Sequence, residues 1–115
     1  MDVAAERARK RLGARAESLA AWRLRLTGAR VLARRLRVRG GCEVDLVCRE
    51  GSTLVLVEVK ARRTGDPAEA VGVSRQRALQ RSADVLLAEH LWAREVRIDV
   101  VAIRWPTLRR LRGAV

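Results

Sequence analysis

The stretch from Cys42 to Arg62, CEVDLVCREGSTLVLVEVKAR, decides how the whole chain is interpreted. It predicts two β-strands joined by a tight turn, and the second strand contains the most apolar run of the sequence, residues 54–57. Three charged side chains accompany these strands: Asp45, Glu58 and Lys60. Burying such charges beside apolar residues is costly unless they pair or bind a metal. Two acids and a lysine at this spacing can bind a divalent cation and orient a water molecule, although a structural ion pair is the alternative.

Lys60 is unusual in this chain because only two of its 25 Lys and Arg residues are lysines. Arginine is a wide fork with a permanent charge, whereas lysine is a compact point charge that can titrate when buried. A lysine at the end of the most apolar strand therefore favours a functional role, and the alternative is chance placement. Side chains alternate along a strand, so Glu58 and Lys60 share one face.

The register of the predicted hairpin decides whether Asp45 joins that face. Residues directly opposite each other in an antiparallel pair point to the same side of the sheet. A two-residue loop at Glu50-Gly51 would make Glu58 the diagonal neighbour of Asp45 and would place Glu43 opposite Glu58. A three-residue loop would send Glu58 to the other face and remove the site, since a one-residue slip inverts every side chain.

Length and composition indicate one domain spanning residues 1–115. A chain of 115 residues with 49% hydrophobic residues can bury a core without disulfides. There is no apolar run long enough to cross a membrane and no signal-peptide pattern, so a cytoplasmic protein is expected. Cys42 and Cys48 would lie too far apart on one strand for a disulfide, and their spacing fits no zinc pattern. No P-loop, GxGxxG or supported Ser/His/Asp set appears.

The net charge of +12 favours a polyanionic partner, either nucleic acid or an anionic surface. Both of these partners present negative charges that arginine side chains can contact. The predicted contacts are Arg62 and Arg63 after the lysine strand, and Arg75 and Arg77 at the start of the next helix. The two helical arginines are predicted to point away from the sheet, either along a phosphate backbone or simply into solvent.

The rest of the chain divides into helices, strands and loops. Asp99 is predicted to be a structural acid within the last strand. The predicted elements are a helix over 2–27 with Ala5, Ala8, Leu12, Ala16 and Leu19 as its apolar stripe, a strand over 29–38, a capped turn at Asp66–Glu69, a helix from Ser74, as its N-cap, to about His90, a strand over 95–103, and a basic tail from about 104 that is expected to fray.

Two further polar residues are candidates for the site. Glu17 is close to Gly13 and Ala20 on the helical projection, and such small neighbours would let the helix approach a sheet. The alternative, which the spacing slightly favours, is a surface glutamate that offsets an arginine of the same helix. Gln76 falls on the apolar side of the second helix, near the expected end of the sheet.

The order of these elements and acids resembles the PD-(D/E)XK nuclease superfamily. More closely, the chain resembles the YraN-like family of small bacterial proteins, which is similar to archaeal Holliday-junction resolvases. The segments that carry the resemblance are GARAESLA at 13–20, EVDLV at 43–47, VEVKAR at 57–62 and RIDVV at 97–101. Two positions depart from the family pattern: Cys42 replaces a usual glycine, and Arg75 replaces a usual lysine.

The resemblance implies an α/β, restriction-endonuclease-like core, a small mixed sheet flanked by helices in the order αβββαβ. It implies hydrolysis of phosphodiester bonds in structured or branched DNA with Mg²⁺, or Mn²⁺, as cofactor, and a homodimer would suit a two-fold junction. A binding module without turnover and a basic structural protein are the alternatives. The implied residues are Glu17, Asp45, Glu58 and Lys60 as catalytic groups, Asp45, Glu58 and the Val59 carbonyl as metal ligands, and Glu43 and Gln76 as auxiliary groups.

Overall fold

A computed structural model describes residues 2–62, 71–104 and 106–115. It confirms a mixed α/β architecture and adds a fifth strand to the predicted order. The elements are α1 (Val3–Leu26), β1 (Arg30–Arg37), β2 (Glu43–Glu50), β3 (Thr53–Ala61), α2 (Val73–Glu89), β4 (Glu95–Arg104) and β5 (Thr107–Leu111). The turn predicted at Asp66–Glu69 lies outside the described residues.

The five strands form one sheet in the order β1-β2-β3-β4-β5. β1, β2 and β3 are an antiparallel meander, β3 and β4 are parallel, and β4 and β5 are antiparallel. A parallel pair requires a crossover, and α2 lies in the connection between β3 and β4. The sheet is therefore mixed, as predicted.

The helices cover opposite faces of this sheet. Leu46, Val55 and Val57 pack with α1, while Leu54 and Leu56 pack with α2. Adjacent residues of β3 thus enter different cores, and this explains why its apolar run is continuous. Among the described residues, neither helix is long and apolar enough to cross a membrane.

The buried face of α1 lies later in the helix than its apolar stripe predicted. Asp2 caps the helix by accepting the N–H groups of Ala4 and Ala5, and Gly28 follows its end with φ +90°. Ala5 is exposed, and the side chains of Ala8 and Leu12 lie outside the described ones, so the described packing of α1 on the sheet comes from its second half. The buried residues of that half are Ala16, Ala20, Ala21 and Leu24.

α2 begins at Val73, and Gly72 occupies the cap position without a side-chain hydrogen bond. The predicted cap at Ser74 is therefore wrong. The fully buried positions of α2 are Leu79, Ser82, Ala83 and Leu86, whereas Leu87 is only half-buried.

The β2–β3 hairpin pairs Glu50 with Thr53, so Gly51-Ser52 is its two-residue turn. The turn was predicted one residue earlier, at Glu50-Gly51, so the observed pairing of the two strands differs from the predicted pairing by two residues. Because this shift is even, every side chain stays on its predicted face of the sheet. Gly51 has φ +60°, the left-handed conformation that tight hairpin turns favour. The same β2–β3 register, carried past its last pair, would put Glu43 level with Lys60 rather than Glu58, and on its other side Glu43 pairs with Arg37 of β1.

The basic tail is ordered by a strand where fraying was expected, because β5 pairs along β4. Asp99 of β4 is fully buried and accepts hydrogen bonds from the guanidinium groups of Arg97 and Arg110 and from the Gly113 N–H. These contacts hold the pKa of Asp99 below its usual value. The predicted structural role of Asp99 is confirmed. Its negative charge holds the tail on the sheet through the hydrogen bonds from Arg110 and Gly113.

Candidate active site

The site begins where the β2–β3 ladder ends. The last pair is Leu46 with Val57, and the same register carried one residue further brings Asp45 level with Glu58. Asp45 Oδ2 accepts the Val59 N–H at 2.8 Å, so a carboxylate bonds the neighbouring strand beyond the backbone ladder. β3 stays paired with β4 as far as Ala61. β2 and β3 therefore separate beyond their last pair and form a fork, with the side chains of Asp45 and Glu58 at its base.

A cavity of about 380 Å³ lies at this fork, between the strand ends and α1. It brings together all four predicted catalytic residues as well as Val59 and Arg62. The lining residues are Gly13, Ala16, Glu17, Asp45, Glu58, Val59, Lys60, Ala61 and Arg62. Three acids thus converge in a chain whose net charge is +12. Such a concentration is costly without a cation, so it indicates a site rather than a random surface.

Glu58 is the most buried of these acids, with 3% of its surface exposed. Arg75 Nε donates to Glu58 Oε2 at 2.7 Å, and Lys60 Nζ lies 3.7 Å from Glu58 Oε1. The Arg75 guanidinium also donates to the Glu43 carbonyl at 2.7 Å. Arg75 therefore bridges β2 and β3 on the α2 side of the fork.

Asp45 is electrostatically coupled to Glu58. Burial, followed by the negative charge of Glu58, raises the pKa of Asp45 from 3.8 to about 6, and the Val59 N–H bonded to it opposes the rise. Two carboxylates this close resist being ionised together. A cation beside both would remove that repulsion.

Glu17 reaches the cavity from α1, where Gly13 and Ala16 are small enough to let the helix pass close to the strands. Its side chain is 12% exposed and bonds Arg35 Nε of β1 at 2.7 Å. Arg34 is a second cation nearby, at 3.8 Å. The alternative of a surface glutamate that offsets an arginine of its own helix is not what the described residues show, because the two described partners come from β1.

Arg35 is a residue of this neighbourhood that the sequence analysis missed. Its φ is +51°, the only positive value at a non-glycine residue in the described chain. This backbone turn accompanies the ion pair between Arg35 and Glu17. An arginine in a basic strand carries no sequence signal for such a conformation.

The direction of Arg75 differs from the prediction. It lies four residues before Leu79 and seven before Ser82, both fully buried, so it shares their stripe and points at the sheet. This spacing could have predicted that the Arg75 side chain points at the sheet, but the charge of an arginine favoured a solvent-exposed position. The predicted nucleic-acid role of Arg75 stays a prediction.

The remaining predicted residues lie around the site or away from it. Gln76 donates to the Val71 carbonyl, and Arg77 is exposed on α2; neither lines the cavity. The Glu43 side chain is exposed, and its contact with the site is made by its carbonyl. Arg63 lies outside the described residues.

The oxygen atoms of the site fit a hard divalent cation that takes few of its ligands from the protein and the rest from water. No group of three His, Cys, Asp or Glu side chains in 2–62, 71–104 and 106–115 is arranged to hold a metal ion. Asp45 and Glu58 supply two carboxylates, and the Val59 carbonyl is the third oxygen predicted. Mg²⁺ is commonly held by one or two carboxylates and keeps several of its waters.

The comparisons with known proteins agree with one another. A family model described as Uncharacterised protein family UPF0102 matches residues 16–103. A UPF0102 protein of Parvibaculum lavamentivorans is 52% identical over 102 residues, which are 84% of this chain and 76% of that protein. A UPF0102 protein of Beutenbergia cavernae is 48% identical over 101 residues, 84% of this chain and 85% of its own length. The matched span contains Glu17, Asp45, Glu58 and Lys60.

Proposed function

The chain belongs to the UPF0102 family, the YraN-like proteins that its motifs resemble, and we propose that it is a Mg²⁺-dependent endonuclease built on a PD-(D/E)XK core. The proposed substrate is nucleic acid, with structured or branched DNA as its preferred form. One observation carries this proposal: Asp45, Glu58 and Lys60 line one cavity at the forked end of the sheet, together with Glu17.

Asp45 and Glu58 would hold the cation, with the Val59 carbonyl as a third oxygen. Mn²⁺ has the same ligand preference and is expected to substitute. When bound, the cation would supply Lewis-acid activation of a water and neutralise charge on the phosphate. The burial of Glu58 at 3% exposure and the bond from Val59 to Asp45 keep both carboxylates in place for this role.

Lys60 would orient the attacking water and stabilise the charge that develops on the phosphate. Its side chain is 29% exposed, so the ammonium is anchored near Glu58 but still open to the cavity. Glu17 would accept a hydrogen bond from a water on the α1 side of the cavity. Arg62, which is exposed and lines the same cavity, would bind a neighbouring phosphate.

The test is a cleavage assay on branched and linear DNA with Mg²⁺ or Mn²⁺. Asp45→Asn, Glu58→Gln and Lys60→Ala are each expected to lower turnover at least about 100-fold, because each removes either a ligand of the cation or a positioned group that stabilises the developing charge. Glu17→Gln is expected to have a smaller effect, because Arg35 already neutralises it.

Asp84→Asn is the matched control, since Asp84 is exposed on α2 and does not line the cavity. It should cleave like the unmodified chain. Inactivity of the unmodified chain on every substrate with either cation would contradict the proposal, provided that circular dichroism shows it to be folded.

The second candidate is a nucleic-acid-binding module that has the same fold but no turnover. It is favoured by the contacts of Glu58, whose charge is already balanced by Arg75 and Lys60 without a metal. A pure binder, however, gains nothing from Asp45 beside a phosphate. For this candidate, Asp45→Asn should tighten DNA binding, and neither the unmodified chain nor any variant should cleave DNA.

A further inference from the structure

A second cavity, of about 260 Å³, lies at the other end of α1, between that helix and strands β4 and β5. Its charged lining comes from three arginines: Arg23 of α1, Arg110 of β5, and Arg112 just beyond β5. The other lining residues are Leu24, Thr27, Val101 and Leu108. None of the described lining residues is acidic, so the cavity concentrates positive charge.

Arg110 is the fixed part of this cavity. Its Nε and one terminal nitrogen donate to Asp99 and Glu50, which hold the guanidinium plane against β4. Its other terminal nitrogen, Nη1, is buried and has no hydrogen-bond partner among the described residues. Buried donors are nearly always satisfied, so this one leaves the Arg110 guanidinium with unused hydrogen-bonding capacity beside the cavity that the residue lines.

Arg23 and Arg112 are exposed and form no ion pair with a described residue. The negative end of the α1 dipole favours a cation in the last turn of the helix. Arg25 is in that turn too, so it can supply this cation without Arg23. Helix capping therefore leaves the convergence of Arg23 with Arg112 across the cavity unexplained. An anion between them would relieve the repulsion of like charges.

We propose that this arginine cavity, defined by Arg23, Arg110 and Arg112, binds the tetrahedral oxyanion of a phosphate group. Guanidinium groups match phosphate oxygens in geometry and charge, and three of them from separate segments can surround one phosphate. Two sources share this chemistry: a backbone phosphate of nucleic acid and a free phosphate ion.

The nucleic-acid source rests on the proposed function, and the dimensions of α1 agree with it. Ala16 lines the fork cavity and Leu24 lines the arginine cavity, and both belong to the buried face of α1. At 1.5 Å per residue, these eight residues span about 12 Å. Successive base pairs rise about 3.4 Å, so this distance corresponds to between about three and four steps of one strand. The arginine cavity would then anchor a strand a few nucleotides from the fork.

The experiment is a two-dimensional NMR titration of the full chain with sodium phosphate, in a phosphate-free buffer without divalent cation. The ionic strength is held constant, and sodium chloride is the reference. Saturable shifts centred on the backbone signals of Arg23, Thr27, Arg110 and Arg112 are expected. The double variant Arg23→Gln/Arg112→Gln should weaken phosphate binding at least about 10-fold, because two charge-assisted contacts are lost.

Arg25→Gln is the matched control, since Arg25 shares the last turn of α1 but does not line the cavity. It should leave phosphate affinity within about two-fold of the unmodified chain, as expected for a screened distant charge. Shifts that do not saturate, or that spread over arginines everywhere on the surface, would overturn the proposal. Equal weakening by the control and the double variant would overturn it as well.

A second titration with a short DNA duplex identifies the source of the phosphate. Shifts of the same four signals, reversed by added phosphate, assign the cavity to nucleic acid. Shifts at the fork with none at the arginine cavity would leave a free phosphate ion as its ligand. Absence of all DNA-induced shifts, with phosphate still bound, would count against the proposed nuclease function while the phosphate site stands.

Discussion

Arg35 has an unfavourable backbone conformation together with a side chain that is positioned for an ion pair. A left-handed backbone costs a side-chain-bearing residue about 1–2 kcal/mol, and Arg35 adopts it at φ +51°. Its guanidinium then bonds Glu17, an acid of the fork cavity. Strain of this kind tends to occur at functional sites, which agrees with the proposed role of Glu17.

This strain can be measured by comparing glycine with alanine at position 35. Both substitutions remove the ion pair with Glu17, but only glycine accepts the left-handed backbone without strain. Arg35→Gly is therefore expected to be more stable than Arg35→Ala by about 1 kcal/mol in urea unfolding.

Position 34 provides the control, because Arg34 is also exposed, lies in the same strand and also neighbours Glu17. Its backbone has a negative φ, so the order should reverse there, with Arg34→Ala the more stable of the pair. Alanine being the better residue at both positions would rule out a strained backbone at Arg35.

Asp45 should make folding stability depend on pH. Its pKa is raised to about 6 in the folded chain, so the folded state holds the proton more tightly than the unfolded state does. Stability from this group is therefore greatest at acidic pH and falls as pH rises from about 4 to about 6. In a chelating buffer, Asp45→Asn should equal the unmodified chain near pH 4 and exceed it at pH 7 by up to about 3 kcal/mol.

Urea unfolding at several pH values from 4 to 8 measures this dependence, with Asp84→Asn as an exposed acid that should leave the profile unchanged. A saturating divalent cation should abolish the advantage of Asp45→Asn at pH 7, because ligand bound only to the folded state stabilises it. An Asp45→Asn chain that is less stable than the unmodified chain at pH 7 in chelator would contradict the repulsion between Asp45 and Glu58.

At the scale of elements, α2 is positioned by a close approach to the loop before β2. A Cβ added at Gly41 would lie 2.1 Å from Ser82 Oγ and 3.0 Å from Ser82 Cα. The same hydroxyl accepts the Cys42 N–H at 3.0 Å. Only glycine permits this contact, which in turn places Arg75 at the start of α2 over Glu58.

Gly41→Ala is expected to destabilise the fold by about 2–3 kcal/mol, since backbone atoms of α2 must move. Thermal unfolding checks this, and Gly72→Ala is the matched control, because Gly72 has open space around it and φ −71°. Gly72→Ala should cost no more than about 1 kcal/mol, because alanine fits the open space there but is a poorer N-cap residue than glycine. Equal stability of the two variants would show that α2 can shift without cost.

For the whole molecule, the charge of +12 predicts binding to nucleic acid that weakens steeply with salt. Each phosphate neutralised contributes about −0.9 to the slope of log K against log salt concentration. Replacing Arg62, Arg63 and Arg77 with Ala, with Arg75 kept because it neutralises the buried Glu58, should lower DNA affinity and make that slope shallower. Fluorescence anisotropy at several salt concentrations measures both quantities.

Arg94→Ala is the control for this set, since Arg94 is exposed and precedes β4 at the end of the sheet remote from the fork. It should leave the slope nearly unchanged. An unchanged slope in this triple variant would move the binding surface away from the fork, and the arginine cavity would then be the next surface to test.

The sequence by itself determined the features that follow from local periodicity. An apolar run bounded by turn residues predicted β3, and strict alternation along it placed Glu58 and Lys60 on one face. The error in the predicted turn did not move Asp45 away from the face of Glu58, because a register shift of two residues leaves every side chain on the same face. The match of the motifs to the UPF0102 family has the same origin, since it depends on spacing along the chain.

Tertiary structure alone decided which charges meet. Glu17 pairs with Arg35 and Arg34 from another element, Arg75 turns inward to Glu58, and Asp99 collects arginines that order the tail as β5. Each of these partners was one arginine among many, and local sequence did not distinguish them. The choice depends on burial: a carboxylate removed from water must find a cation within reach, and only the folded sheet and helices determine which one is there.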